Sequence, residues 1–343
     1  MKPSKIGGQA VMEGIMMRRR GIYSVTVRKP NQDIVVDIQE YKGIAPWEGI
    51  YNIPFIRGIF AFVDSLILSI KTLTFSASFF EEEEDKPRTK AQERKDEIIT
   101  TIVMLFGVIL ALSVFMILPF VLSSFLRGQI DSRMALVSVE GLIRLSILVG
   151  YVLLVSQMKE IKRTFMYHGA EHKCINCIEQ GLILNLENAR ESSKEHKRCG
   201  TSFLFFVIVV SIIFSFFITV DSQVLRALIR IAILPLIAGV SYEIIMLAGK
   251  SDNWFVNALS FPGRLLQKLT TKEPDDGMLE VAIVGIEAIF DWREFQDREE
   301  GSKFEPEGVN VILTSHLELD DEKAEIDGEK AEIDGEKAEI DGE

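Results

Sequence analysis

Apolar positions along this chain fall into four long blocks with charged or polar stretches between them. The run from Ile98 to Leu126 carries no charged side chain over 29 residues, more than the roughly 20 that cross a bilayer core. A second block, Met134 to Met158, contains Glu140 and Arg144. The third, Phe203 to Val220, is about the shortest length that spans, and the fourth, Leu225 to Ala248, carries Arg226, Arg230 and Glu243. The spacing predicts a four-span membrane domain over residues 98–248.

Ahead of it the pattern changes period. Val25 and Val27, then Ile34, Val36 and Ile38, alternate around the turn-forming KPNQ at 29–32, which predicts a β-hairpin within a β-rich N-terminal segment, residues 1–55. Gly7, Gly8 and Gly14 read equally as turns or as binding positions. From residue 56 to 80 the chain reads as a mostly apolar helix interrupted by Asp64 and Lys71, suited to the membrane interface or to packing on the bundle. Residues 81–97 read as a charged linker. After the fourth block, residues 249–296 form a C-terminal segment in which Asp275 or Asp276 caps an amphipathic helix from about Gly277 to Phe290. Leu279, Ile283, Ile286 and Phe290 lie at helical spacing, so it packs on the hairpin or on the membrane surface. The expected fold is therefore a membrane α-helical bundle of about four transmembrane helices with a small α+β cap.

Charge assigns the sides. Lys86, Arg88, Lys90, Arg94 and Lys95 precede the first span, and the loop 159–202 is rich in Lys and Arg, whereas the other links hold only Arg127 and Arg133 before the next block. Basic residues mark the cytoplasmic side. The expectation is a multi-pass protein of the bacterial inner membrane with both termini, and that loop, in the cytoplasm. The net charge of −12 is concentrated at the C-terminus: residues 320–343 hold twelve acids and three lysines, and EKAEIDG occurs three times from Glu322 to Gly342. With Gly in every unit, that repeat predicts a disordered acidic tail over 297–343 rather than a coiled coil.

The chemistry is concentrated in one place. Three of the four histidines and all three cysteines lie between residues 168 and 199. On a helix, His168 and His172 stand one turn apart on one face with Glu171 beside them, the H-x-x-E-H order in which two imidazoles hold zinc and the glutamate manages a proton. Cys174-x-x-Cys177 with His196-x-x-Cys199 has instead the spacing of a closed structural zinc site. Buried cysteines, and histidines paired with acids, are the plain alternative to both. Three cysteines, all expected on the cytoplasmic side, argue against a disulfide framework.

GGQAVMEGIMMR, PFIRG at 54–58, YHGAEHK at 167–173, the N-C-x-E at 176–179, HKRCGTSF at 196–203 and LTTKEPDD at 269–276 resemble the YqhQ-like bacterial membrane proteins over about residues 5–295. The resemblance implies a metal-dependent enzyme without naming a substrate. It carries over to His168, Glu171, His172, Cys177, His196 and Cys199. The position of Cys174 is commonly aliphatic in that family, which argues against the four-ligand staple.

Taken together, the expected site is a divalent metal, zinc, held by His168, His172 and His196 with Cys199 or Cys177, Glu171 acting as base or orienting partner. Glu13 is a further carboxylate from the hairpin side. Glu140 and Arg144, four apart, neutralise each other; Glu243 reaches the site or pairs with a neighbouring span. A metal-dependent hydrolase is the first functional reading. A non-enzymatic scaffold or biogenesis factor that docks a protein partner on its cytoplasmic face is the second, and transport through the intramembrane charges ranks last. Membrane lipid is an expected partner, and the basic run at 18–20 faces acidic lipid headgroups or a ribosomal partner; nucleic acid is not expected.

Overall fold

A computed structural model describes residues 3–19, 21–80, 90–126, 128–196, 199–220, 222–249, 253–298 and 303–314 of the 343-residue chain. The N-terminal segment is a four-stranded antiparallel meander rather than a single hairpin: β1 (Gly7–Val11), β2 (Gly14–Arg19), β3 (Ile22–Arg28) and β4 (Ile34–Glu40). The KPNQ turn closes where its composition places it, with Lys29 N donating to Asp33 O and Gln32 N to Lys29 O. Met12 and Glu13 make the tight β1–β2 turn. Glu13 adopts a left-handed φ of 48°, and a Cβ on the following Gly14 would lie 2.3 Å from Thr26 O. Glycine is the residue that lets the strands close there.

Alternation in the strands feeds two cores, one on each face of the sheet. Tyr23, Val25 and Val27 of β3 and Met16 of β2 pack with Leu68 beneath α1 (Ile56–Ala77). Ile15, Met17, Ile34 and Val36 pack instead with α5 (Lys159–Glu179) and α11 (Asp276–Glu287). The small polar Ser24 and Thr26 on that second face let α11 lie close. Ser24 Oγ donates to Gly285 O at 2.7 Å, and a Cβ on Gly285 would meet Thr26 Oγ1 at 2.8 Å. Asp275 caps α11 by accepting from Met278 N. The helix is buried nearly all round, not amphipathic as its spacing suggested, because the sheet covers one side and α5 the other.

Four helices are long and apolar enough to cross a membrane: α1; residues 101–124, formed by α2 (Lys90–Leu112), a π-turn and α3 (Leu118–Ser124); α4 (Arg133–Val155); and α7 (Gly200–Phe217). The fourth block of the sequence is instead a pair, α8 (Gln223–Ala232) and α9 (Leu234–Ala248), bent by 46°, with Pro235 in the first turn of α9 removing a ladder donor. Helix α1 has the length to span, yet its C-terminal half lies on the sheet: Ser69 Oγ donates to Gln9 Oε1 and Met12 N to Ser76 Oγ. At its other end a Cβ on Gly58 would lie 2.9 Å from Gly239 Cα, a close crossing of α1 and α9 that small residues allow. Asp64, which broke the apolar pattern, is fully buried and accepts from Tyr41 Oη, Ile44 N and Tyr51 Oη.

Three expected boundaries change. Residues 90–97 of the charged linker are the first turns of α2, whose apolar part begins later; residues 81–89 lie outside the described set. The loop 159–202 is largely helical, as α5 and α6 (Leu186–Glu191). The segment read as a disordered tail from 297 onward contributes β5 (Val311–Leu313), parallel to β4, with Ile34 opposite Val311. The EKAEIDG repeats lie outside the described residues.

The charges within the apolar blocks pair. Glu140 Oε1 accepts from Arg144 Nη2 at 3.0 Å and also from Arg230 Nη1 at 2.6 Å. Glu243 takes a two-point ion pair from Arg57, at 2.7 and 2.5 Å, and so serves the α1–α9 contact. Of the basic run, Arg18 lies against the Tyr41 ring and Arg19 over that of Phe290.

Candidate metal centre

Helix α5 begins after a break at residues 156–158 and carries the H-x-x-E-H segment in its middle, with residues 169–179 buried. Gly169 costs helix propensity, and its reason is steric. A Cβ there would lie 2.0 Å from Lys272 O, because the stretch after α10 (Trp254–Thr270) runs directly against α5, Lys272 N donating to Phe165 O at 2.8 Å. That stretch is the LTTKEPDD motif. Its Glu273 pairs with the buried Lys173 at 2.7 Å and with Lys194 at 3.1 Å. Burial favours the neutral acid, but the hydrogen bonds and charges of the two lysines outweigh it and hold Glu273 below the usual carboxylate range.

A second segment, 190–196, is tied to the same helix through its backbone. Lys173 Nζ donates to Arg190 O and Ser192 O, and Asn176 Nδ2 to Ser193 O and Glu195 O. Gln267 of α10 clamps His196 by bonding both its N–H and its carbonyl, each at 3.0 Å. Cys199 then caps α7, its sulfur accepting from Thr201 N at 3.4 Å.

These three walls bring together His168, His172 and Cys199, whose donor atoms all lie within 4.8 Å of one another. The imidazole ring centroids of His168 and His172 are 4.4 Å apart, and Cys199 Sγ is 3.2 Å from His168 Nε2. Each histidine turns its Nδ1 to a main-chain carbonyl, His168 to Thr270 O at 3.0 Å and His172 to Lys194 O at 2.7 Å. A carbonyl only accepts, so each Nδ1 carries its proton. In the neutral imidazole Nε2 then has the free lone pair, the arrangement metal-binding histidines use. Burial pushes the Cys199 thiol up, but the charges of His168 and His172 and the hydrogen bonds from them outweigh it and hold it well below the usual thiol range. His168 responds in the opposite sense: burial lowers it, the Cys199 charge and hydrogen bond raise it, and it stands at about 9.

Glu171 projects into the same interior. It is 5 % exposed, its Oε2 has no hydrogen-bond partner among the described residues, and Gly8 of β1 abuts it, since a Cβ on Gly8 would lie 2.9 Å from Oε1. Burial pushes this carboxyl up, with the three imidazoles of His168, His172 and His196 partly offsetting it. Two nitrogens, a depressed thiol and an orphaned buried carboxylate oxygen suit a borderline-soft divalent cation.

The other expected ligands lie apart. The His196 ring is 5.8 Å from that of His172, but its Nε2 faces Glu179 Oε2 at 3.4 Å, and Glu179 Oε1 accepts from both the N–H and the hydroxyl of Ser4. Cys177 sits in the hydrophobic core with its sulfur on Ile183 O, and Cys174 is buried in that core as well. Burial pushes both thiols up, Cys177 to about 11. The Cys174, Cys177, His196, Cys199 staple is therefore not assembled: the two cysteines face the core side of α5, away from the imidazoles. Glu13 pairs with Arg163 and reaches the Tyr167 hydroxyl, holding the first turns of α5 to the sheet rather than joining the cluster. Sequence reasoning did not anticipate the backbone acceptors Thr270 and Lys194, the Gln267 clamp or the Glu179–Ser4 contact. Main-chain carbonyls leave no residue signature; LTTKEPDD signalled only that the segment mattered.

The family described as "Protein of unknown function (DUF1385)" matches residues 53–292. The chain is also 35% identical over 288 residues to "Uncharacterized protein YqhQ" of Bacillus subtilis (strain 168), covering 82% of this chain and 91% of that protein. No solved structure matches it. The region matched by the family includes α5, Cys199 and the LTTKEPDD stretch, though not the strands that seat Glu171, and on these two agreements the chain is YqhQ-like and belongs to the DUF1385 family.

Proposed function

We propose that this protein is a metal-dependent hydrolase of the bacterial inner membrane, with His168, His172 and Cys199 as ligands to one zinc ion and Glu171 as the proton-transferring group. One observation carries the reading: two imidazoles anchored through Nδ1 and a low-lying thiol face one another beside a buried carboxylate that has an unused oxygen. A zinc ion with three protein ligands would supply Lewis acidity and lower the pKa of a bound water. The chain's own part is to fix the imidazoles through Thr270 and Lys194, and to keep Glu171 buried beside them. A carboxyl raised in this way is better matched to exchanging a proton near neutral pH.

The membrane arrangement supports a cytoplasmic site. Helix α1 leaves Leu66, Ile67, Ile70 and Leu73 exposed on the side away from the sheet, which suits a helix lying in the interface, as its polar interruptions suggested. The crossings are then α2–α3, α4, α7 and α8–α9. An even number returns the chain to the side where it began, in keeping with β5 pairing beside β4. A second reading, a structural metal beneath a docking surface, draws on His196. A fourth protein ligand from that neighbouring ring would close the shell.

Zinc content and X-ray absorption on the purified full-length protein test both. Three protein ligands plus a light oxygen scatterer, with hydrolysis of chromogenic ester, amide or phosphoester probes lost in Glu171→Gln while zinc is retained, is the expected result. Four protein ligands favour the structural reading. Protein purified under metal-replete conditions without zinc or another divalent ion defeats both.

A further inference from the structure

At the end of the bundle far from the cap, a cavity of about 310 Å³ opens between α3, α4, α7 and α8. Helix α7 runs from Cys199 at the metal centre to Ile218 at this cavity, roughly 27 Å at 1.5 Å per residue. The two sites are therefore separate.

The cavity has a cationic wall at Arg226 and Arg230, and its lining also holds Asp131 and Arg133, whose charges offset each other. Arg230 is 5 % exposed, Arg144 7 % and Glu140 5 %, and the single carboxylate serves both guanidinium groups. The buried set thus carries one uncompensated positive charge. Arg144 Nη1 is engaged by Ser211 Oγ at 2.5 Å, and Arg230 lies over the Phe120 ring at 5.2 Å. Nε of Arg144 and Nε of Arg230 are both buried without a hydrogen-bond partner among the described residues, and of the two residues Arg230 lines the cavity. A buried excess charge is costly unless an opposite charge joins it. Arg226 also borders the cavity, donating through Nε and Nη2 to Val220 O.

We propose that this cavity binds a phosphate-bearing anion, with Arg230 as its buried cationic wall and Glu140 holding that guanidinium in place. The planar fork of arginine matches the oxygens of a phosphate group in two-point fashion, and the volume suits a small group. Ser123 and Ser215 add hydroxyls to the lining beside apolar Leu136 and Ile218, a mixture that fits a headgroup joined to an apolar remainder. An anionic phospholipid and a soluble phosphate share this chemistry.

The test uses the full-length protein. Native mass spectrometry from nanodiscs of phosphatidylglycerol or of phosphatidylcholine alone reports retained lipid, and thermal-shift titration in detergent with inorganic phosphate reports the soluble source. The proposal expects selective retention of phosphatidylglycerol, or stabilisation by phosphate. Either should weaken about tenfold in Arg226→Gln and in Arg230→Gln, the latter leaving Glu140 in a balanced one-to-one pair with Arg144. Lipid retention without a phosphate response identifies a headgroup site, and the reverse a soluble anion site. No binding from either source, or binding that Arg230→Gln leaves unchanged, overturns the proposal.

Discussion

His168 and Cys199 meet at 3.2 Å, imidazole Nε2 to sulfur, although 31 residues separate them. The contact is secured from both ends. His168 is pinned by the Thr270 carbonyl, and Cys199 by its place at the start of α7. Neither residue depends on the other for its position, which is what a preformed ligand pair requires.

Cobalt substitution reads that pair directly. The wild-type protein should show a sulfur-to-cobalt charge-transfer band in the near ultraviolet, absent in Cys199→Ser and retained in Cys177→Ser. His168→Ala and His172→Ala should each weaken metal affinity at least tenfold. A band that survives Cys199→Ser would remove the thiolate from the site.

Proton release gives the pH dependence. With His168 raised to about 9 and Cys199 held well below the thiol range, the pair shares one proton at neutral pH, carried by the imidazole. A metal must displace it. Zinc titrations in buffers of different ionisation enthalpy should register about one proton released from this pair at pH 7, falling towards none as pH rises through about 9, and affinity should drop as pH falls. Cys199→Ser should lower the His168 titration midpoint, followed by imidazole proton chemical shifts in the metal-free protein.

Gly169→Ala sets two effects against each other. Helix propensity alone predicts a gain of roughly 1 kcal/mol. The added Cβ would lie 2.0 Å from a main-chain oxygen that cannot swing aside, and overpacking of this kind costs about 1–3 kcal/mol or more. The clash wins, so the midpoint of thermal unfolding should fall, and with it metal affinity, because the Thr270 anchor rides on the displaced segment.

Asp64→Ala should destabilise by about 3 kcal/mol, since it leaves two tyrosine hydroxyls and the Ile44 N–H without their acceptor. Asp64→Asn should cost less. Burial and the hydrogen bond to Asp64 raise Tyr41 to about 12, so its phenol should ionise nearer the free-tyrosine range in Asp64→Ala, measured by ultraviolet difference absorption.

The long apolar blocks, the β3–β4 hairpin and the one-face placement of His168 and His172 were legible because each rests on a period within one element. What was not legible depends on partners far along the chain. β1 and β2 are rich in Gly and Met, with too little alternation to read as strands, and they hold because both faces of the sheet are covered. The bend between α8 and α9 follows from Pro235 inside an otherwise continuous apolar run. Cys177 and Cys199 look alike in the sequence; only the orientation of α5 sends one into the core and leaves the other with the histidines. Glu140 has the Arg144 partner that its spacing of four predicted, but its second arginine, Arg230, and the Arg57 that meets Glu243 come from other helices, which no local spacing encodes.

Strand β5 has a consequence for how the protein can be handled. By lying parallel along β4 it covers a backbone edge that would otherwise offer open donors and acceptors to any passing strand. It is three residues long, and the chain beyond it runs into a segment of net charge −9. A truncation ending before Val311 would uncover β4 and remove the acidic extension, so shortened versions should self-associate more readily than the 343-residue chain.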